Sequence, residues 1–301
     1  MYRTVTVGLD GSPESRAAAE WAAREARLRG LPLRIVHVAE RAPVPVAQAP
    51  LVGPETSQHW IRPVPREAAE GLRVRHPGLD VLTEELTGPV PEALCAAADS
   101  AELLALGSRG FGGVGGFVVG SVSLAVVARA ERPVVLVRDG EQAADEHGMD
   151  PAGVPSAATP FRPVVLGLDV DHPDDTLLEF AFDAAVRRET PLRVVSAWPE
   201  TTASYYRFPG DAELKDDLER SHRTALAEAL RPWRQKFPGV DVIEASRCGS
   251  AAQVVVGAAR DASLAVVGRR SRTGFLGAHI GHVTHAALHH IAAPVAVVAH
   301  D

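Results

Sequence analysis

The sequence predicts an α/β protein built from two similar units, each an open sheet of five parallel strands with helices on both faces. Two observations carry this prediction. The second half of the chain restates the first half in the same order, which indicates two copies of one folding unit. Within each half, short runs rich in Val, Leu and Ile alternate with Ala-rich stretches, a pattern typical of buried parallel strands separated by helices.

The repeat is visible in four pairs of segments. VTVGLD at 5–10 reappears as VVLGLD at 164–169, and LPLRIVHVAE at 31–40 reappears as TPLRVVSAWP at 190–199. ELLALGSRG at 102–110 corresponds to SLAVVGRRS at 263–271, and RPVVLV at 132–137 corresponds to APVAVV at 293–298. The polar, proline-bearing stretch between the copies predicts an exposed linker. We therefore expect a first domain at 1–140, a linker at 141–160 and a second domain at 161–301.

Local signals predict where the elements of the two copies begin and end. Ser12 followed by Pro13 predicts the cap and first residue of a helix that runs to about Leu28, with Trp21 packed in the core. We expect a long proline-rich loop over 39–65. In the second copy we expect a loop over 198–210 and then a helix to about Phe237. The predicted strands of the first copy lie near 4–9, 33–38, 80–86, 103–107 and 133–137.

Composition argues against several classes of protein. The first residues lack the basic region, long apolar run and cleavage site of a secretory signal, and no run approaches the ~18 apolar residues of a membrane span. The formal net charge of −7 argues against a nucleic-acid surface. The two cysteines, Cys95 and Cys248, form no CxxC motif, which fits a reducing compartment. We expect a cytoplasmic protein that binds neither nucleic acid nor membrane.

A glycine-rich loop follows the fourth predicted strand. Seven glycines occupy the fourteen positions from 107 to 120, within the segment GSRGFGGVGGFVVGSVS at 107–123. Glycine lets another group approach the backbone closely, and the loop leads into a helix whose first N–H groups and dipole attract anions. Ser121 and Ser123 add hydroxyl donors. The loop is neither a Walker A motif, because no lysine follows the glycines, nor a dinucleotide fingerprint, which follows the first strand. The segment therefore predicts a phosphate site, with a flexible loop as the alternative.

The loop fits the pattern G-x2-G-x9-G-[ST], with Gly107, Gly110, Gly120 and Ser121 in the four fixed places. Together with an Asp after the first strand, His-Val at the end of the second and a closing Pro-Val strand, this pattern resembles the universal stress protein family. The resemblance covers both halves and implies a Rossmann-like, adenine nucleotide alpha hydrolase-like fold with strand order 3-2-1-4-5. In that order strands 1 and 4 are neighbours at the reversal point, where open parallel sheets bind ligands.

The resemblance also implies a binding site for ATP, with or without Mg²⁺, in the first domain. In ATP-binding members the Asp after the first strand and the residue after the His of the second strand hold adenosine. By position these residues are Asp10 and Val38. The loop would hold the phosphates through Gly107, Ser108, Arg109, Gly110, Gly120, Ser121, Val122 and Ser123. Asp10 could instead cap the helix near Pro13, and Arg109 could be solvated rather than neutralise a phosphate.

The second copy has altered this loop, which reads GRRSRTGFLGAHIGHVT at 268–284. Ser271 stands at the second glycine position, and His282 replaces the hydroxyl residue. A serine forced to positive φ costs about 1 kcal/mol, and an imidazole would crowd the phosphates. We therefore expect weak or no ATP binding by the equivalent residues Asp169, Ala197, Gly268 and Gly281.

Histidines cluster after the second loop, and His282, His285 and His289 fall on one helical face. Because no cysteine or close carboxylate completes a ligand set, we favour a solvated, pH-titrating helix surface over a metal site.

Three functions follow from these patterns. We favour a ligand-gated module in which ATP orders the first loop and biases a dimer or partner surface during stress responses, as the resemblance implies. Slow ATP hydrolysis is one alternative, although the loop carries no carboxylate, so we expect no catalytic residues and no enzyme. A nucleotide-free interaction module is the other. The last strand of each copy is an apolar edge, so we expect a homodimer or an intramolecular pseudo-dimer, and an unidentified protein partner.

Overall fold

The computed structural model describes residues 3–39, 63–108, 119–198, 211–270 and 280–300. The chain divides into two compact units, Met1–Gln142 and Ala143–Asp301. Of the helices in the described ranges, none combines the length and the apolar character that a membrane span requires.

The first unit is a parallel sheet with strand order β3-β2-β1-β4-β5, and helices connect its strands. The strands are Val5–Gly8 (β1), Leu33–Ala39 (β2), Val81–Thr87 (β3), Leu103–Ser108 (β4) and Val134–Arg138 (β5). The helices are Pro13–Arg29 (α1), Pro63–Arg75 (α2), Val90–Asp99 (α3) and Ser121–Arg129 (α4). Each predicted strand agrees with the observed one to within a residue at either end. The predicted fold class is confirmed.

Helix α1 shows how local sequence fixes an element. The Ser12 hydroxyl accepts a hydrogen bond from the Ser15 N–H at 3.2 Å, and Pro13 occupies the first turn, where its missing N–H has no helical partner to lose. Gly30 ends the helix in the left-handed conformation at φ 63°. Trp21, only 1% exposed, is a core residue as predicted.

The second unit repeats the plan, with strand order β8-β7-β6-β9-β10. Its strands are Val164–Gly167 (β6), Leu192–Trp198 (β7), Val242–Cys248 (β8), Leu264–Arg270 (β9) and Val295–His300 (β10). Its helices are Asp175–Arg188 (α5), Asp211–Lys236 (α6), Ala251–Ala258 (α7) and His282–His290 (α8). The central strands β6 and β9 pair in parallel, as β1 and β4 do in the first unit.

The two predicted long loops lie largely outside the described residues, at 40–62 and 199–210. Where their ends are described, they differ from the prediction. Pro63 already begins α2, and Trp198 is the last residue of β7. Trp198 pairs with Cys248 of β8, and this backbone pairing extends the strand by a residue. The Trp198 ring is buried and stacks on His222 with the two rings 5.7 Å apart.

The segment predicted as an exposed linker is mostly exposed or half-exposed and contains local structure. It contains a short 3-10 helix at Ala143–Glu146, and isolated antiparallel bridges join His147 to Phe161 and Met149 to Pro155. The Asp150 carboxylate accepts hydrogen bonds from two following backbone N–H groups, each at 2.9 Å. Turns of this kind need no apolar periodicity, so they are compatible with the polar composition from which the linker was predicted.

Candidate functional site

Four of the sequence-predicted residues of the first unit, Asp10, Val38, Gly107 and Ser108, lie at the carboxyl ends of β1, β2 and β4. Val7 pairs with Ala105, so Asp10 and Ser108 each stand three residues beyond a paired position on neighbouring strands. Strand order reverses between β1 and β4, and open parallel sheets form their ligand crevice at such a point.

Asp10 is an exposed carboxylate held in a fixed turn. Its Oδ1 accepts a hydrogen bond from the Ser12 N–H at 2.9 Å, and Gly11 takes φ 89° between them. Partial burial raises the pKa of the Asp10 carboxyl, but hydrogen bonds from Ser12 and Ser15 outweigh it and lower the pKa below its ordinary value. Ser12 caps α1, whereas Asp10 shapes the turn that leads into it. The carboxylate is thus ionised at neutral pH and able to accept further hydrogen bonds.

Strand β2 supports this turn through His37. Its Nδ1 lies 2.7 Å from the Leu9 carbonyl oxygen, so this ring nitrogen carries the proton and donates it. Leu9 also donates its N–H to the Val36 carbonyl at 2.9 Å. Val38 follows His37 and is half-buried at the end of the strand. The His-Val pair of the sequence pattern therefore fixes the Leu9–Asp10 backbone and presents one apolar side chain beside it.

Gly107 is required by packing. A Cβ atom at this position would lie 2.6 Å from the carbonyl carbon of Glu14 and 2.8 Å from the Ser15 nitrogen, both in the backbone of α1. Real Cβ atoms do not approach backbone this closely. The end of β4 thus meets the first turn of α1 directly, and only glycine fits between them.

Two of the predicted serines bond to the protein itself. Ser108 is buried and its hydroxyl donates to the Val137 carbonyl at 3.2 Å. Ser123 is also buried and donates to the Gly107 carbonyl at 2.9 Å. In the second unit Thr284 makes the equivalent bond to the Gly268 carbonyl at 2.7 Å. This bond joins α4 to β4 in the first unit and α8 to β9 in the second. It is present in both units although their loop sequences differ.

The remaining predicted residues of the first unit lie at the start of α4. Gly120 is the N-cap, with φ −66° and ψ 148°, and Ser121 and Val122 are exposed on the first turn. The first N–H groups of a helix lack intrahelical partners, so this turn offers donors to an anion. Arg109 and Gly110 lie outside the described residues.

In the second unit the four predicted equivalents line a single cavity of about 470 Å³. They are Asp169, Ala197, Gly268 and Gly281. The cavity occupies the crevice at the carboxyl ends of β6, β7 and β9, with the start of α8 as a further wall.

An ion pair in this crevice was not evident from the sequence. The Arg270 guanidinium lies 2.8 Å from Oδ2 of Asp169, and His172 Nδ1 lies 3.4 Å from the same oxygen. Arg270 stands one residue before the altered glycine position, and 101 residues separate it from Asp169. The basic character of RRS at 269–271 was the available signal, but nothing in the sequence paired it with a particular carboxylate.

The histidine cluster lies on α8. The rings of His285 and His289 are 4.3 Å apart. Burial lowers the pKa of His285 below its ordinary value, and the neighbouring His289 and His290 add to the effect. Among the described residues, no group of three or more His, Cys, Asp or Glu side chains is arranged to hold a metal ion.

Comparison with known proteins agrees with the repeat and the fold. A model of the universal stress protein family matches residues 1–138 and, a second time, residues 160–299. The chain belongs to this family. It is a tandem universal stress protein with one family domain in each half. A universal stress protein of Mycolicibacterium smegmatis is 31% identical over 300 residues, which cover 98% of this chain and 96% of that protein.

Solved structures show the same architecture. A universal stress protein from Archaeoglobus fulgidus DSM 4304 superposes with a TM-score of 0.68 at 16% identity, covering 98% of both chains. This likeness is one of fold. A universal stress protein solved in complex with cAMP covers 46% of this chain at 26% identity, with a TM-score of 0.34.

Proposed function

We propose that this universal stress protein is an ATP-binding regulatory module of the stress response, in which the first unit holds the nucleotide. One observation carries the proposal. The Asp10 carboxylate is exposed at the point where the strand order reverses, and the Ser12 N–H holds it there through Oδ1. A carboxylate has several acceptor sites, so Asp10 can also accept hydrogen bonds from the hydroxyl groups of a nucleoside.

The start of α4 supports the same assignment. Gly120 and Ser121 are small residues at a helix N-terminus, where a phosphate gains from unpaired N–H groups and the helix dipole. At the equivalent place His282 puts an imidazole at the start of α8. Val38, half-buried near the end of β2, offers an apolar contact for a base. We propose that ATP lies between Asp10 and the start of α4.

Regulation requires a state that the nucleotide favours. A ligand that binds only the folded, ordered state at 100 times its Kd stabilises that state by about 2.7 kcal/mol. This is enough to shift a conformational equilibrium about a hundredfold. We propose that ATP acts in this way and is retained without being turned over. Incubation of the chain with MgATP should accordingly release no inorganic phosphate above the rate of a Gly120→Asp variant.

The test is calorimetric titration of MgATP into the full chain and two matched variants, Gly120→Asp and Gly281→Asp. Both glycines are N-caps with extended backbone, and Asp is itself a favourable N-cap, so neither change should unfold its helix. Each adds a negative charge where a phosphate would lie. We expect one ATP per wild-type chain, no binding by Gly120→Asp and unchanged binding by Gly281→Asp. Two ATP per chain, or binding that Gly120→Asp leaves intact, would contradict the proposal.

A further inference from the structure

Although the loop sequence of the second unit is altered, the crevice at the end of its sheet is open. Its volume of about 470 Å³ lies within the range of small-molecule sites, which is roughly 300–1,000 Å³. Its apolar wall comes from both sheet and helices and includes Leu168, Leu177, Val195, Val255, Val267 and Val283. A wall of this kind suits a compact apolar or aromatic group.

The charged residues that line the cavity are mainly cationic. Arg269 and Arg270 both line the cavity, and among the described lining residues the one acidic side chain is that of Asp169. Arg270 is held by Asp169 yet keeps 45% of its side chain exposed, so a ligand can reach this side chain.

The start of α8 adds neutral donors to this charge. The first hydrogen bond of the helix runs from the His285 N–H to the Gly281 carbonyl at 2.9 Å. The backbone N–H groups of residues 282–284 therefore have no acceptor within the helix. All three residues line the cavity. The Arg270 side chain and the helix N–H groups thus line the same cavity.

The cavity differs from the first unit's crevice because its helix begins later. The α1 cap Ser12 stands two residues after Asp10, whereas the α5 cap Asp174 stands five residues after Asp169. In the first unit the α1 backbone lies directly over Gly107. Over Gly268, the corresponding space is bordered by the side chains of His300 and Leu177, and both line the cavity. The second-unit helix is three residues shorter at its start, so the residues before it form a turn that brings His172 to Asp169.

We infer that the second unit binds a small organic anion, a compact apolar or aromatic group carrying one phosphate or carboxylate, and that it does not bind ATP. The anionic group lies between Arg270 and the start of α8, and the apolar body packs on Leu168, Val255 and Val267. This site is independent of ATP binding by the first unit. The chain would then bind two different ligands, one in each unit.

The test uses the full chain with three probes that share a phenyl ring: phenyl phosphate, benzoate and the neutral benzyl alcohol. Calorimetry should detect one site per chain for phenyl phosphate or benzoate, and at least tenfold weaker binding of benzyl alcohol, because a charge-assisted hydrogen bond is lost. The tighter of the two anions identifies the ligand as a phosphate or a carboxylate. Hydrogen exchange should show protection at residues 281–285.

Variants separate this site from the one in the first unit. Arg270→Ala and Gly281→Asp should each weaken anion binding at least tenfold. Gly120→Asp should leave it unchanged, and so should Arg231→Ala, which removes an exposed arginine elsewhere on the same unit. Equal binding of benzyl alcohol, no binding of either anion at millimolar concentration, or insensitivity to both Arg270→Ala and Gly281→Asp would overturn the inference. A second ATP per chain that Arg270→Ala removes would also overturn it.

Discussion

A methyl group added at either of the equivalent glycines Gly107 and Gly268 would be too close to other atoms, but the atoms differ in kind at the two positions. A Cβ at 107 would lie 2.6 Å from the Glu14 carbonyl carbon, about 1 Å inside ordinary contact, and the obstacle is helix backbone. A Cβ at 268 would meet the Nε2 end of the His300 side chain at 2.5 Å and a Leu177 methyl at 3.2 Å. The α1 backbone at Glu14 cannot move aside without disturbing the helix, whereas the side chains of His300 and Leu177 can change rotamer.

Gly107→Ala should therefore lower the free energy of unfolding by about 3 kcal/mol, the upper part of the usual range for overpacking. Gly268→Ala should cost about 1 kcal/mol or less, because His300 can change rotamer. Both substitutions replace a glycine with negative φ in a strand, so the entropic gain of Gly→Ala is similar in the two variants and cancels in their difference. The comparison isolates the clash with α1.

The assay is urea unfolding of the nucleotide-free chain, followed by tryptophan fluorescence. Trp21 is buried in the first unit, and Trp198 and Trp233 report on the second. Hydrogen exchange should be read in parallel on β4 and β9, because a chain of two units need not unfold in one step. A Gly107→Ala variant as stable as wild type, or an equal loss in Gly268→Ala, would refute the packing argument. A role for Gly107 in phosphate binding alone predicts no change without nucleotide.

Three further substitutions test the interactions around this site. Ser123→Ala should lower stability by about 1 kcal/mol without nucleotide, because its hydroxyl bond to a backbone carbonyl is lost, as measured by urea unfolding. Glu25→Gln should cost about 3 kcal/mol in the same assay, because Glu25 and Arg29 form a pair at 2.6 Å whose side chains are only 1–2% exposed. Glu20→Gln should lower the melting temperature at pH 7. Burial raises the pKa of Glu20, but His76 and Arg75 outweigh burial and hold that pKa below its ordinary 4.5. The stabilisation is complete above pH 4.5 and is lost as the pH falls through the folded value, so the difference from wild type should shrink in acid.

The control for both glutamate variants is Glu228→Gln, since the ion pair between Glu228 and Arg231 is largely exposed and should contribute less than about 0.5 kcal/mol. An equal loss in this variant would contradict the role assigned to burial. A Ser123→Ala variant that is as stable as wild type would show that the Gly107 carbonyl finds another donor. A Glu20→Gln effect that stays constant from pH 7 to pH 3 would contradict the assigned direction of the Glu20 pKa.

Local patterns in the sequence were sufficient to predict the two-unit organisation, the strand positions and the family. These properties rest on signals between residues that are close along the chain. Runs of Val and Leu mark buried strands, and Ser12 with Pro13 marks a helix start, because the atoms that satisfy a cap lie within one turn. The glycine spacing of the first loop placed the candidate site at the end of β4 for the same reason, since a loop between a strand and its helix is a local feature.

The contacts of individual site residues became visible only in the folded structure. Gly107 looked like a phosphate contact, but its immediate neighbour is the α1 backbone. The Ser123 hydroxyl bonds a carbonyl sixteen residues back. Asp169 looked like a retained ligand group, and an arginine 101 residues away is paired with it. Such contacts depend on how strands pair and where helices begin, and no local pattern of residue types encodes them.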